Sequence, residues 1–233
     1  MYRALTSALT KVRDMTTIAE FRTRIRAILV DAGSAIYTDA IVDEALRQAL
    51  DEYNLALPLE NETVITLPGD GREIALNGLA GLRQVTEVYW PFDSLSEPWP
   101  PNRARGFHVY WDDAQPVLYL NSVEGDEPQM DDELRLWYTT SHTIDGLDGA
   151  AITTLPNEHG SLIAGGAAGH AALARGVDLI EVTSADLYGT GLLLVWAQRK
   201  LKDFREALER IKRAHARAGL PYGSGWKLDK WDE

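Results

Sequence analysis

The sequence predicts an α+β fold: an antiparallel helical bundle with an inserted small antiparallel β-sandwich or barrel and an extended C-terminal tail. Three observations predict it. Apolar residues recur at helical spacing before residue 57 and again after residue 156. Between these stretches the chain alternates in short, β-branched and aromatic runs separated by turn residues. Beyond Gly219 and Pro221 no periodic pattern remains. The expected division is residues 1–60 as an N-terminal helical part, 61–145 as the inserted β-domain, 146–219 as the C-terminal helical part and 220–233 as an interaction tail.

The first helix is expected to start at Thr17. Thr17 and Glu20 have capping-box spacing, so hydroxyl and carboxylate can each satisfy a free backbone N–H. Phe21, Ile25, Ile28 and Leu29 form its apolar face. Asp31-Ala32-Gly33 ends it, with Gly33 available for a left-handed cap. A second helix starts at Thr38 or Asp39 and carries Ile41, Val42, Ala45, Leu46, Ala49, Leu50 and Tyr53 as its stripe. Pro58 ends it by residue 57, because the residue before proline disfavours the helical conformation.

Val64 to Leu67, the turn Pro68-Gly69-Asp70-Gly71, and Arg72 to Leu76 read as a β-hairpin. Val85 to Trp90, Phe107 to Trp111, Val117 to Leu120 and Leu134 to Tyr138 complete about six strands. A proline-rich loop spans Pro91 to Arg105, and an acidic turn spans Glu124 to Glu133. Trp90, Trp111 and Trp137 lie on strands and are expected in the core, where indoles bury large apolar area.

Pro156 opens a helix to Arg175 that is largely Ala and Gly. Glycine costs a helix about 1 kcal/mol against alanine. Several of them therefore predict the close approach of another backbone. Ser184 can cap the last helix, whose stripe is Leu194, Ala197, Leu201, Phe204, Leu208 and Ile211. The tail holds Tyr222, Trp226 and Trp231 between glycines and charges.

Composition removes several functional classes. The chain has 233 residues and no cysteine, which excludes disulfides, thiolate metal sites and a cysteine nucleophile. Its longest apolar run, Leu192 to Ala197, is far too short to cross a bilayer, and the N-terminus lacks the apolar core of a secretory signal. A cytoplasm, or a particle assembled in one, is the expected compartment. A net charge of −12 argues against general nucleic-acid binding. Residues 199–217 nevertheless carry about +5, which suits a protein whose parts meet different surfaces, or simply a solvated helix face.

No catalytic constellation is apparent. The five histidines lack H-E-x-x-H spacing, and neither a G-x-S-x-G elbow nor a P-loop occurs. Gly189-Thr190-Gly191 lacks the third glycine and preceding strand of a dinucleotide site. His142 near Asp145 and Asp148 reads as a loop histidine rather than a metal site. No cofactor and no metal are expected. Trp99, in the rigid Glu97-Pro98-Trp99-Pro100-Pro101 loop, can be presented outward as an anchor. Trp226 and Trp231 in the tail either fold back on their own domain or serve as anchors for a partner.

Four segments resemble the head-to-tail adaptor (connector) proteins of tailed bacteriophages. They are Ile41 to Tyr53 after an opening helix; Val85 to Trp90 after a Gly-Leu turn; Leu134 to Tyr138 followed by Ser141 to Ile144; and Thr154 to His159 leading into an Ala-rich helix. The resemblance implies a virion structural protein in the neck, assembled in the host cytoplasm and without enzymatic activity. It implies a homo-oligomeric ring, typically of twelve, between the portal protein and a tail or neck protein, with DNA passing through without specific binding. Tyr222, Trp226 and Trp231 would be portal anchors, and Arg205, Arg210, Lys212, Arg213 and Arg217 a charged interface. The alternative expectation is a carbohydrate-binding or glycan-processing β-sandwich, with Trp99 and exposed acids as its site.

Overall fold

The first helix, α1 (Ile18–Leu29), starts where the capping box places it. The Thr17 hydroxyl accepts from the Glu20 N–H, and the Glu20 carboxylate accepts from the Thr16 and Thr17 N–H groups at 2.8 and 3.2 Å. The computed structural model describes residues 16–93, 103–104, 106–121, 127–181 and 187–218. Among them are four α-helices and two three-stranded antiparallel sheets, a mixed α+β architecture. The chain divides into two units, Met1–Leu57 with Thr143–Glu233, and Pro58–His142.

In the helical unit, α1 does not end at Gly33 as the sequence suggests. Val30 takes the left-handed conformation (φ 57°), and the Val30 and Asp31 N–H groups return to Ala27 O and Arg26 O. The reason lies one residue on. The buried Asp31 carboxylate accepts from the Ala35, Ile36 and Tyr37 N–H groups at 3.0, 3.1 and 2.8 Å. These bonds need the chain to reverse before Gly33. Thr38 then caps α2 (Asp39–Ala56). Arg22 clamps α1 to α2 through Asp43 (2.7 and 2.6 Å) and Asp39 (3.1 Å), and Arg26 pairs with Asp39.

A single turn of 3-10 helix (Asn157–His159) leads into α3 (Gly160–Glu181), and α4 (Leu187–Ala218) returns beside it. The α3 glycines explain how the two pack. A Cβ on Gly166 would lie 2.9 Å from the Phe204 ring, one on Gly169 3.0 Å from Leu201, and one on Gly176 would strike Leu194. Each step along α3 toward its C-terminus matches a step back along α4, so the pair is antiparallel. Bulky α4 side chains fill the hollows that glycine leaves. The core joins Phe21, Ile25, Leu46, Leu50 and Tyr53 of α1 and α2 with Ile163, Ala167 and Ala171 of α3 and Phe204 and Leu208 of α4.

In the β unit, the predicted hairpin does not form. β1 (Leu59–Thr66) pairs with β6 (Glu133–Thr140), and β2 (Glu73–Ala75) pairs with β5 (Gln115–Leu120). The two strands belong to different sheets, of order β1-β6-β3 and β2-β5-β4, where β3 is Gln84–Phe92 and β4 is Phe107–Asp112. Gly71 does take a positive φ of 117°, as Asp-Gly turn chemistry requires, but the turn carries the chain from one sheet to the other. Leu67 holds that crossing by exchanging backbone bonds with Asp131 and Asp132. Leu67, Ile74, Leu76, Val88, Trp90, Leu118, Leu120, Leu134 and Leu136 form one apolar cluster drawn from both sheets.

Trp111 is a second correction. It lies at the end of edge strand β4 and is 60 % exposed, whereas Trp90 is buried and Trp137 half-buried.

Candidate interaction surface

The basic residues singled out by the sequence lie on α4. The apolar stripe of this helix faces inward through Ala197, Leu201, Phe204 and Leu208, all buried, with Leu194 and Ile211 half-buried at its ends. Helical geometry then turns Arg199, Lys202, Arg210, Lys212 and Arg213 to solvent. Among these, Lys202 lies 3.8 Å from Glu206, and Arg210 Nε donates to the backbone oxygen of Glu206 at 3.4 Å.

Arg205 has an intramolecular role. Its guanidinium forms a two-pronged bond to Glu52 of α2, with both N–O distances 2.7 Å. His170 of α3 brings Nε2 within 3.2 Å of the same carboxylate, without hydrogen-bond alignment. Three helices therefore meet at one carboxylate. The Arg205 bond holds the Glu52 carboxyl below the usual carboxylate range, although burial opposes it. Burial pushes His170 below its ordinary value; the Glu52 charge opposes this and the Arg205 charge adds to it. Glu52 was invisible as a site residue in the sequence, because its partner lies 153 positions away.

Two cavities flank this bridge. One, of about 380 Å³, is lined by Leu173 and Leu201 with Gln198 and Lys202. The other, of about 330 Å³, is lined by Leu55 and Leu208 with Glu209 and Lys212. Arg205 lines both.

At the N-terminal end of α4 the outward face is apolar. Tyr188, Leu192 and Val195 are exposed there, as are Val177 and Ile180 near the end of α3. The apolar run Leu192 to Ala197 was the only sequence signal for this surface, since it exceeds what one buried stripe requires. Gly189-Thr190-Gly191 lies inside α4, with Thr190 buried, and forms no phosphate loop.

Tyr53 Oη lies 2.7 Å from His159 Nδ1, and burial pushes the Tyr53 phenol up to about 12. Asp148 is bound by Arg47, which holds its carboxyl below the usual range. Among the described residues no cluster of three or more His, Asp or Glu side chains could hold a metal ion. No helix among them is long and apolar enough to cross a membrane. Trp99, Tyr222, Trp226 and Trp231 lie outside the described residues, as does the side chain of Arg217.

No family model matches the sequence, and no curated protein matches it. Among solved structures, it is similar to a chain from the neck of an empty gene transfer agent (GTA) particle computed with C6 symmetry. That match has 18 % identity and a TM-score of 0.30, over 77 % of this chain and 87 % of the other. A chain from the virion of a native GTA particle matches at 19 % identity and a TM-score of 0.30, over 76 % and 86 %. One from the neck of a native GTA particle, computed with C12 symmetry, matches at 17 % and 0.28, over 84 % and 94 %. At this level of likeness neither the fold nor the role of those chains transfers to this one.

Proposed function

We propose that this chain is a virion structural protein of the neck, a head-to-tail adaptor. It forms a ring between the portal and the tail or neck, continues the DNA channel, and catalyses no reaction. The observation that carries this reading is the order of parts: one helical unit drawn from both ends of the chain, with a β unit inserted between them. That order is what the resemblance of Ile41 to Tyr53, Val85 to Trp90, Leu134 to Ile144 and Thr154 to His159 to adaptors implies. In this reading the helices form a bundle and the sheets a small sandwich.

Tyr222, Trp226 and Trp231 are the portal anchors, with Trp99 as a further anchor on the β unit. Arg210, Lys212, Arg213 and Arg217 supply the charged interface, to which Arg205 contributes while bound to Glu52. Co-sedimentation of the chain with the portal ring of the same particle tests the reading. Replacing Trp226 and Trp231 together with alanine abolishes co-sedimentation and leaves the fold intact. Unchanged docking of that variant removes the anchor assignment, and failure of the native chain to bind an intact portal removes the adaptor.

A second reading, a carbohydrate-binding β unit, has one observation in its favour. The exposed Trp111 borders a cavity of about 310 Å³ that Arg83 and Gln84 also line. An indole face with planar polar neighbours suits a sugar ring. Binding to a glycan array that is lost in Trp111→Ala would support it.

A further inference from the structure

We propose that the groove between α2 and α4 beside the Arg205–Glu52 bridge is the seat of this chain's own Trp226, delivered there by a reversal of the chain after Ala218. The inference concerns the chain before it meets any partner, so it stands or falls independently of the adaptor reading.

The groove is a cavity of about 330 Å³ with Leu55, Ala56 and Leu208 among its lining and Arg205 and Lys212 beside them. Leu55 sits in the last turn of α2 and is 70 % exposed. Ligand pockets span about 300–1,000 Å³, so this one is small. It suits one large side chain rather than a helix or a strand. Its chemistry is apolar with a cation at the rim, since Lys212 is exposed. An indole answers both. It buries about 150–250 Å² of mostly apolar surface, and its face attracts an ammonium more strongly than Tyr or Phe does.

Chain direction and length select Trp226 as the occupant. Glu52 meets Arg205, and Leu55 and Leu208, each three residues further on, line the same cavity. α2 and α4 therefore run the same way here, and α4 continues past the groove to Ala218. From Ala218 back to Lys212 and Leu208 is six to ten residues, about 9–15 Å of helix. Gly219 is the residue type that closes a helix in the left-handed conformation. Leu220-Pro221-Tyr222-Gly223 has proline second and glycine fourth, the signature of a type I turn, which reverses a chain. Gly223 to Trp226 then covers about 10 Å when extended, which matches the distance to the groove. Trp231, five residues later, overshoots it by roughly 17 Å.

Tethering favours this occupant over a second copy or a free partner. A short linker holds its end at a local concentration on the order of mM, which a separate molecule has to exceed or offset with higher affinity. In the adaptor reading, the portal draws Trp226 out of this groove on docking.

The test uses the full chain labelled with fluorotryptophan, with no portal present. Trp226→Phe identifies the Trp226 fluorine signal. In the native chain that signal lies away from its position in the urea-unfolded chain, and Leu55→Glu returns it there. Leu55 is largely exposed, so the variant keeps its fold, which melting curves check. Lys212→Ala is the second variant. It removes the cation from the indole face and lowers the ratio of seated to free Trp226 about 2- to 5-fold. A photo-crosslinker attached through Ser224→Cys, uniquely addressable because the chain has no cysteine, reports the neighbours of the tail. In an equal mixture of isotopically heavy and light chains, its crosslinks reach the peptides around Leu55 and Leu208 within one chain. A Trp226 signal already at the unfolded position in the native chain overturns the inference, and so does one that both folded variants leave unmoved. Crosslinks that join heavy to light chains overturn it as well. Because no portal is present, each of these results leaves the adaptor reading standing.

Discussion

Alanine at Gly165 and at Gly166 should change stability in different ways, although the two positions are adjacent in α3. Both substitutions gain about 1 kcal/mol of helix propensity. At Gly165 nothing lies within 4 Å of an added Cβ, so the gain is realised in full. At Gly166 the new carbon would lie 2.9 Å from three carbons of the Phe204 ring. Carbon pairs prefer about 3.5–4.0 Å, so ring or helix must move by roughly 0.6–1 Å. Phe204 is 2 % exposed, and its neighbours leave it little room. Overpacking of this kind costs about 1–3 kcal/mol. The propensity gain cancels between the two variants, so their difference measures that cost directly. At roughly 2–4 °C per kcal/mol for a protein of this size, Gly166→Ala melts about 2–12 °C below Gly165→Ala. Thermal and urea denaturation followed by circular dichroism read the difference. Equal stabilisation by both substitutions would refute the packing of α3 against α4 described above.

Trp90→Ala should cost about 3–5 kcal/mol as a large-to-small core change, and Trp111→Ala less than about 1 kcal/mol as a surface change; urea midpoints separate the two. Replacing Asp31 with Ala leaves three loop N–H groups without their acceptor and should lower the melting temperature of the helical unit. The Asp31 carboxyl is held low chiefly by the Tyr37 N–H. Its contribution is thus full above about pH 4 and is lost as pH falls through the depressed folded value, a loss that Asp31→Ala should not show. Arg205→Ala should cost about 0.5–1 kcal/mol at low ionic strength and less in high salt, as befits a largely exposed ion pair. His170 is depressed, so the stability it contributes is full above about pH 6.5 and falls as it protonates below that. Removing the Arg205 charge should raise the His170 titration midpoint, which NMR reads from the imidazole protons; an unmoved midpoint contradicts the shared-carboxylate arrangement.

Local signals proved legible. Thr17 and Glu20 cap α1 through bonds spanning three residues, and spacing alone identified Ala197, Leu201, Phe204 and Leu208 as the inward face of α4. The glycines of α3 predict the close approach of another backbone, but bulky α4 side chains occupy the space at Gly166, Gly169 and Gly176, because a glycine hollow admits a ring or a leucine as readily as a second backbone. Features decided at a distance were not legible. The end of α1 depends on a carboxylate that gathers three N–H groups up to six residues away, which outweighs the preference of Gly33 for a left-handed cap. β1 and β2 have the alternation and turn of a hairpin, yet each finds a longer-range partner in β6 or β5. Trp111 alternates like a core residue, but it ends an edge strand and stays exposed. In the candidate interface the charges of α4 could be read directly. The commitment of Arg205 to Glu52 could not, because nothing local links α2 to α4.

The most direct test of the central claim is the native mass of the complex formed when the purified chain meets the portal ring of the same particle. The adaptor account predicts one species in which the portal carries a fixed number of copies of this chain, near twelve. An intact portal ring that carries none, or a variable few, would contradict it.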